Sequence, residues 1–222
     1  MSSNVHYKGP DDLPVAIPVF PLPGALLLPR GDMPLNIFEP RYVAMVDDAL
    51  RGSRIIGMVQ PEGEPVPGQK SPKLMAIGCA GRITQLAETG DGRYLVTLTG
   101  IARFRIVDEL PATTPYRQCR VDFGLFPSDF EPRAGEDQVD RDGVIRTLKA
   151  FLEANDLRMD WKGIHEASNE ALVNALSMMR PFAAREKQAL LEAPDLKTRA
   201  EILIAITEMD LARGDDGSDA LQ

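Results

Sequence analysis

Six prolines, at positions 18, 21, 23, 29, 34 and 40, fall among aliphatic residues that would otherwise build strands. Proline fixes φ and removes a backbone donor, so a sheet tolerates it only at edges, strand starts and bulges. The stretch "FPLPGALLLPRGDMPLNIFEPRY", Phe20 to Tyr42, therefore reads as short strands separated by fixed turns. The punctuation is confined to one part of the chain. Of 18 prolines, 14 precede residue 126, and so do 13 of 18 glycines. The first half is built like a β domain and the second is not.

Periodicity sharpens that division. Strands are expected at Ala16 to Phe20, Ala25 to Leu28 and Pro34 to Phe38. Pro40 then occupies a first helical position. Tyr42, Val43, Val46, Ala49 and Leu50 recur at helical spacing, and Gly52 offers a cap. "RIIGMVQ" returns to strand, and "PEGEPVPGQKSP" reads as a surface loop. A long strand follows in "LMAIGCAGRITQLAE", where Gly78 and Gly81 signal a bulge or bend. Asp91-Gly92 marks a hairpin into "YLVTLTG", with further strands at "ARFRIVDEL" and "YRQCRVDF". About seven short strands and one helix point to a closed or half-closed barrel over residues 13–125.

Residues 126–138, "FPSDFEPRAGEDQ", break both periodicities and read as a linker. From 139 to 213 the spacing is helical. Val144, Ile145, Leu148, Phe151 and Leu152 mark one face, and Leu172, Ala175, Leu176 and Met179 another. "AREKQALLEA" is a third helix. A fourth is capped by Asp195 and runs through the apolar "ILIAI", which predicts the most central position in a four-helix bundle. Residues 1–12 and 214–222 read as disordered tails. The expected class is α+β, with an N-terminal barrel followed by a helical bundle.

Charge and composition narrow the chemistry. Through Leu125 the chain has 13 Lys+Arg and 13 Asp+Glu; beyond it, 12 against 20, giving the net charge of −8. A nucleic-acid binder usually carries a basic excess, so this balance argues against one, although Arg82, Arg93, Arg103 and Arg105 leave room for a local patch. With 222 residues, roughly 70% of the unfolded surface can be buried without disulfides or metals. The two cysteines, Cys79 and Cys119, sit in apolar strands and no signal-like segment precedes them, which predicts a cytoplasmic setting. No apolar run approaches the roughly 20 residues that span a bilayer.

The ordered set "IPVFPLPGALLLPRGDMPLNIFEPRY", "VAMVDDAL", "IIGMVQ", "GCAGRITQLAETGDGRYLVTLTGIARFRIV" and "EKQALLEAPDLKTRAEIL" resembles the N-terminal substrate-binding domain of Lon proteases. It is most similar to short bacterial proteins consisting of that domain alone, and the likeness covers roughly residues 13–212. It implies a PUA-like β-barrel joined to a helical bundle, and a non-catalytic module that binds unfolded or extended protein segments, working beside a protease or chaperone. No G-x-x-x-x-G-K-[ST] motif is present to hold nucleotide phosphates, and the Ser–Lys peptidase of that family would lie on a separate domain. No enzyme, cofactor or metal is expected. His6 and His165 stand alone, and the two cysteines are forty positions apart.

Most binding candidates come from the same resemblance. Phe38, Glu39, Arg41 and Tyr42 match the family's "FEPRY" signature at a strand-to-helix junction, and Arg82 and Arg103, from the arginine patch above rather than from the resemblance, complete the set. Each also has an architectural reading, in which Glu39 and Arg41 pair with each other or with a neighbour such as Arg103 while the aromatics enter the core. Methionines such as Met33, Met45, Met58 and Met75 serve either as adaptable surface or as core filler. Trp161 reads as a clamp between helices. RNA binding is the alternative function, by analogy with other PUA-like barrels.

Overall fold

The computed structural model describes residues 5–63, 72–111 and 113–219, with 214–219 as backbone only. Most of the expected "PEGEPVPGQKSP" loop and the extreme ends of both tails lie outside these residues. Among them are six strands: β1 (Ala16–Pro21), β2 (Asp32–Ile37), β3 (Ile55–Pro61), β4 (Leu74–Glu88), β5 (Tyr94–Glu109) and β6 (Arg117–Asp122). Helix α1 (Pro40–Arg51) lies between β2 and β3. The second half carries α2 (Arg141–Ala154), α3 (Trp161–Glu166), α4 (Asn169–Met179), α5 (Ala184–Glu192) and α6 (Leu196–Asp219).

The strands form one mixed sheet in the order β2-β5-β4-β3-β1-β6, and β6 also pairs with β5. The pairings β5-β4-β3-β1-β6-β5 thus return to their start, with β2 attached outside that circuit. Only β1 and β3 run parallel, because β2 and α1 form the crossover between them. Inside the circuit Ile17, Val19, Ile55, Ala80, Ala102, Phe104, Cys119 and Val121 bury one another. A larger core joins the other side of the sheet to the helices, from Leu26 and Leu98 through Leu172 and Leu176 to Leu203.

Proline positions match their chemistry. Pro18 pairs with Gln118 of β6, while the pairing of β1 to β3 begins only at Val19, so the missing donor faces no ladder. Pro34 lies in β2, which pairs on one side only. Pro23-Gly24 makes a turn closed by Ala25 N to Leu22 O at 3.3 Å, with Gly24 at φ 70°. Pro40 opens α1.

Three expectations are corrected. Ala25 to Leu28 is not a strand: turns at Pro23-Gly24 and at Arg30, whose φ is 63°, leave too few residues for a ladder, and Leu26, Leu27 and Leu28 plug the core instead. The segments on either side of Ile101 are one strand, β5, bulged there as its register against β4 shifts between Ala80 and Gly81. Among the described residues the second half holds five helices rather than four, α3 being a short one capped by Asp160.

Side-chain caps mark the starts of α2, α4 and α6. The carboxylates of Asp140 and Asp195 accept from Gly143 N at 2.9 Å and Thr198 N at 2.7 Å, and Ser168 Oγ accepts from Ala171 N at 3.1 Å. Pro181 stops α4. Helix α6 packs against α2, α4 and α5, as the central position requires. Its burial is nevertheless one-sided: Leu203 and Ile206 are inside, while Glu201 and Ala205 are exposed. The segment 126–138 contains two short 3-10 turns, Pro127–Phe130 and Glu136–Gln138. A third, Pro10–Asp12, and the extension of α6 to Asp219 fall in stretches read from sequence as tails.

Candidate functional site

The sheet and the helices meet along a groove of about 610 Å³. One wall is the connector from Pro29 into β2 at Pro34, and the other is α4 from Glu170 to Met179. Close approach of backbones positions the first wall. The connector crosses β5 at Gly100, with Arg30 N to Gly100 O and Gly100 N to Gly31 O both at 2.8 Å, and a Cβ on Gly100 would run into the Leu28 carbonyl. The second wall is set by α4, whose Leu172 and Leu176 bury inward and leave Ala171, Ala175 and Met179 facing out. Met178 packs against Gly31. Met33, Pro34 and Leu26 complete an apolar lining.

Polar contacts hold the walls together. Glu170 accepts from Arg30 Nε and from Arg133 N, both at 2.9 Å, and forms an ion pair with the Arg30 guanidinium. Asn174 Nδ2 donates to Pro29 O at 3.2 Å while its Oδ1 accepts from Arg199 at 3.0 Å. Burial, reinforced by nearby Arg103, pushes the Arg199 guanidinium down to about 10, so it remains charged at neutral pH. Farther along the seam, Gln60 Nε2 reaches Ala184 O at 3.0 Å and Gln188 Nε2 reaches Ile77 O at 3.2 Å.

The six residues singled out from the sequence occupy three separate places, and none of them lines the groove. Phe38, Glu39, Arg41 and Tyr42 lie at the far end of β2, on the order of 15–20 Å along the strand from Asp32. Phe38 is 61% exposed, and Arg41 pairs with Glu39 at 2.8 Å and lies 4.5 Å from the Tyr42 ring centre. Tyr42 is buried against Phe20 at 4.2 Å between centroids, and burial raises its hydroxyl above the usual range. Arg82 lines a second cavity, of about 580 Å³.

Arg103 is 1% exposed and turned inward. Its Nε and Nη2 grip Asp129 at 2.9 and 2.7 Å, its Nη1 reaches Leu191 O at 3.0 Å, and its guanidinium stacks 3.8 Å from the Phe126 ring. It pairs with neither Glu39 nor Arg41, and it meets no solvent. The four-arginine patch is likewise dispersed, since Arg93 pairs with Asp91 and Arg105 with Asp122.

Met33 of the groove was singled out from the sequence; Arg30, Glu170, Ala171 and Met178 were not. One signal was present. The apolar face Leu172, Ala175, Leu176, Met179 has the width of one ordinary packed stripe, and its Ala175 and Met179 edge is the groove wall.

Comparison with known proteins agrees with this architecture. Residues 16–208 match the model of the ATP-dependent protease La (LON) substrate-binding domain. Lon protease 2 of Myxococcus xanthus is 27% identical over 203 residues, covering 88% of this chain and 24% of that protein. Lon protease 2 of Sorangium cellulosum is 28% identical over 211 residues, covering 88% and 25%. The chain therefore spans about a quarter of the length of these relatives. Two solved structures share the fold: a Lon N-terminal domain protein from Xanthomonas campestris, with TM-score 0.61, 22% identity and coverage of 86% of this chain and 97% of that one, and the N-terminal domain of Mycobacterium avium complex Lon protease, with TM-score 0.64, 18% identity and coverage of 87% and 98%. The chain belongs to the LON substrate-binding domain family.

Proposed function

We propose that the protein is a recognition module, without chemistry of its own, that holds extended apolar segments of other proteins in the groove between β2 and α4. The supporting observation is an apolar trough, walled by Met33, Pro34, Ala175, Met178 and Met179, at the junction of the two halves. Methionines suit such a task because their unbranched, polarizable side chains adapt to varied partners. On this reading the circuit of strand pairings is a PUA-like barrel, serving as the rigid support for one groove wall. The partner sits by its side chains rather than as an added strand, because Pro34 removes a donor from the open edge of β2.

The substrate-binding description of the family favours a protein ligand, and the acidic helical half disfavours RNA. Ordering an extended segment consumes part of the interaction energy, so affinities of roughly micromolar are expected. The test is anisotropy of a labelled, permanently unfolded protein titrated with wild type and with Ala175→Glu. The exposed position tolerates the new charge, so melting should be unchanged while binding weakens about tenfold or more. Equal binding by both proteins rejects the groove.

A further inference from the structure

A second concavity adjoins the groove at Arg30. Arg30 and Pro132 line both. The second is different in character. Val5, Ile101, Phe130 and Pro132 line part of it, and Arg82, Tyr7, Thr84 and Thr99 supply polar groups.

Its charges are unequally engaged. Arg30 is held by Glu170 and Asp129 by Arg103. Asp32, at the groove side, is held by the Thr99 hydroxyl at 2.6 Å. Among the described residues Arg82 has no carboxylate within salt-bridge distance. Its Nη1 meets only neutral acceptors, Tyr7 Oη at 3.0 Å and Ser53 O at 3.1 Å, which orient the guanidinium without neutralising it. Its Nε and Nη2 carry no protein hydrogen bond among those residues, leaving the bidentate edge of the fork for another acceptor. The half-buried position strengthens that interaction relative to open water.

We propose that this cavity is an acid-accepting subsite: a carboxylate on the bound segment pairs with Arg82 while the apolar side chains beside it occupy the groove. The inference rests on the groove reading above and adds a sequence preference to it, for apolar segments adjoining an acidic group. One uncompensated guanidinium beside the His6 imidazole, with the Arg30 and Asp129 charges already paired and otherwise hydroxyls and apolar side chains around it, suits a monoanionic, planar carboxylate. A nucleic-acid backbone would need several cations along a track, and the net charge of −8 opposes it.

The experiment uses three ten-residue peptides of Leu, Ala and Ser carrying a neutral dye. One has a free C-terminal carboxylate, one has a C-terminal amide, and one has the amide plus a single internal Glu. Each is titrated into wild type, Arg82→Gln, Arg82→Lys and Ala175→Glu. An acidic peptide should bind wild type about tenfold more tightly than the uncharged one. Arg82→Gln should abolish that difference and leave the uncharged peptide unaffected. Preference for the free terminus alone identifies a chain end as the source of the acid; preference for the internal Glu alone identifies a side chain.

Arg82→Lys keeps the charge but not the fork and should retain only part of the preference, which serves as the test if Arg82→Gln melts early. An acid preference that survives Arg82→Gln, or equal weakening of all three peptides by it, overturns the subsite. Weakening of all three by Ala175→Glu supports the groove. An Arg82-dependent preference that is indifferent to Ala175→Glu leaves the subsite standing and removes the groove reading. No binding of any peptide rejects both. Salt-sensitive, Arg82-dependent binding of single-stranded RNA in place of the peptides assigns the cavity to nucleic acid and also overturns the proposal.

Discussion

Arg103 joins three segments at one point: β5, the 3-10 turn at Pro127–Phe130 and the end of α5. Its partners are Asp129, Leu191 O and Ala193 O. A guanidinium so completely buried is compensated by a bidentate carboxylate, two carbonyls and an aromatic face. Removing it strands Asp129 in the interior. Arg103→Met should therefore lower stability by about 3–5 kcal/mol in urea unfolding, and Arg103→Met with Asp129→Leu should recover most of the loss. A double-variant loss equal to the sum of the two single-variant losses would show that the pair is not coupled. The residue was conspicuous in the sequence as one of four arginines, but nothing within its strand reveals that its partner lies 26 positions away.

At the scale of elements, the boundary signals were nearly all local and therefore legible. Asp195 was read as a cap, and Thr198 N donates to it. That backbone donor, foremost, holds the Asp195 carboxyl below its usual range. A depressed carboxyl contributes stability above the ordinary Asp range and loses it as pH falls through the folded value. Asp195→Ala should thus cost about 1 kcal/mol near pH 7. The gap to wild type should close as denaturation is repeated toward pH 3, and a gap independent of pH would exclude the cap's carboxylate as its source. Less legible were "ALLLP", whose short apolar run is kept from a ladder by flanking turns, and α3, whose six residues are too few to show periodicity.

For the whole molecule, the division at residue 126 is a change of composition, yet the core does not respect it. Leu26, Leu28 and Leu98 share one apolar cluster with Leu172, Leu176 and Leu203, and the seam through Arg30, Arg103 and Gln60 crosses the same boundary. The two halves should accordingly unfold together. Calorimetry is expected to give one transition whose van't Hoff and calorimetric enthalpies agree, and two resolved transitions would mark the halves as independent.

Most strands and helices, the proline turns, the Asp195 cap and the charge balance were determined by the sequence alone, because each depends on residues within a few positions: a proline's ring, a glycine's φ, an aspartate three residues from the amide it caps. The groove and the direction in which Arg82 and Arg103 point were decided only by the tertiary structure. Arg30 meets Glu170 across 140 positions, and Pro29 meets Asn174 across 145. Such contacts are properties of packed surfaces, and periodicity records that a face is apolar without recording whether another face covers it.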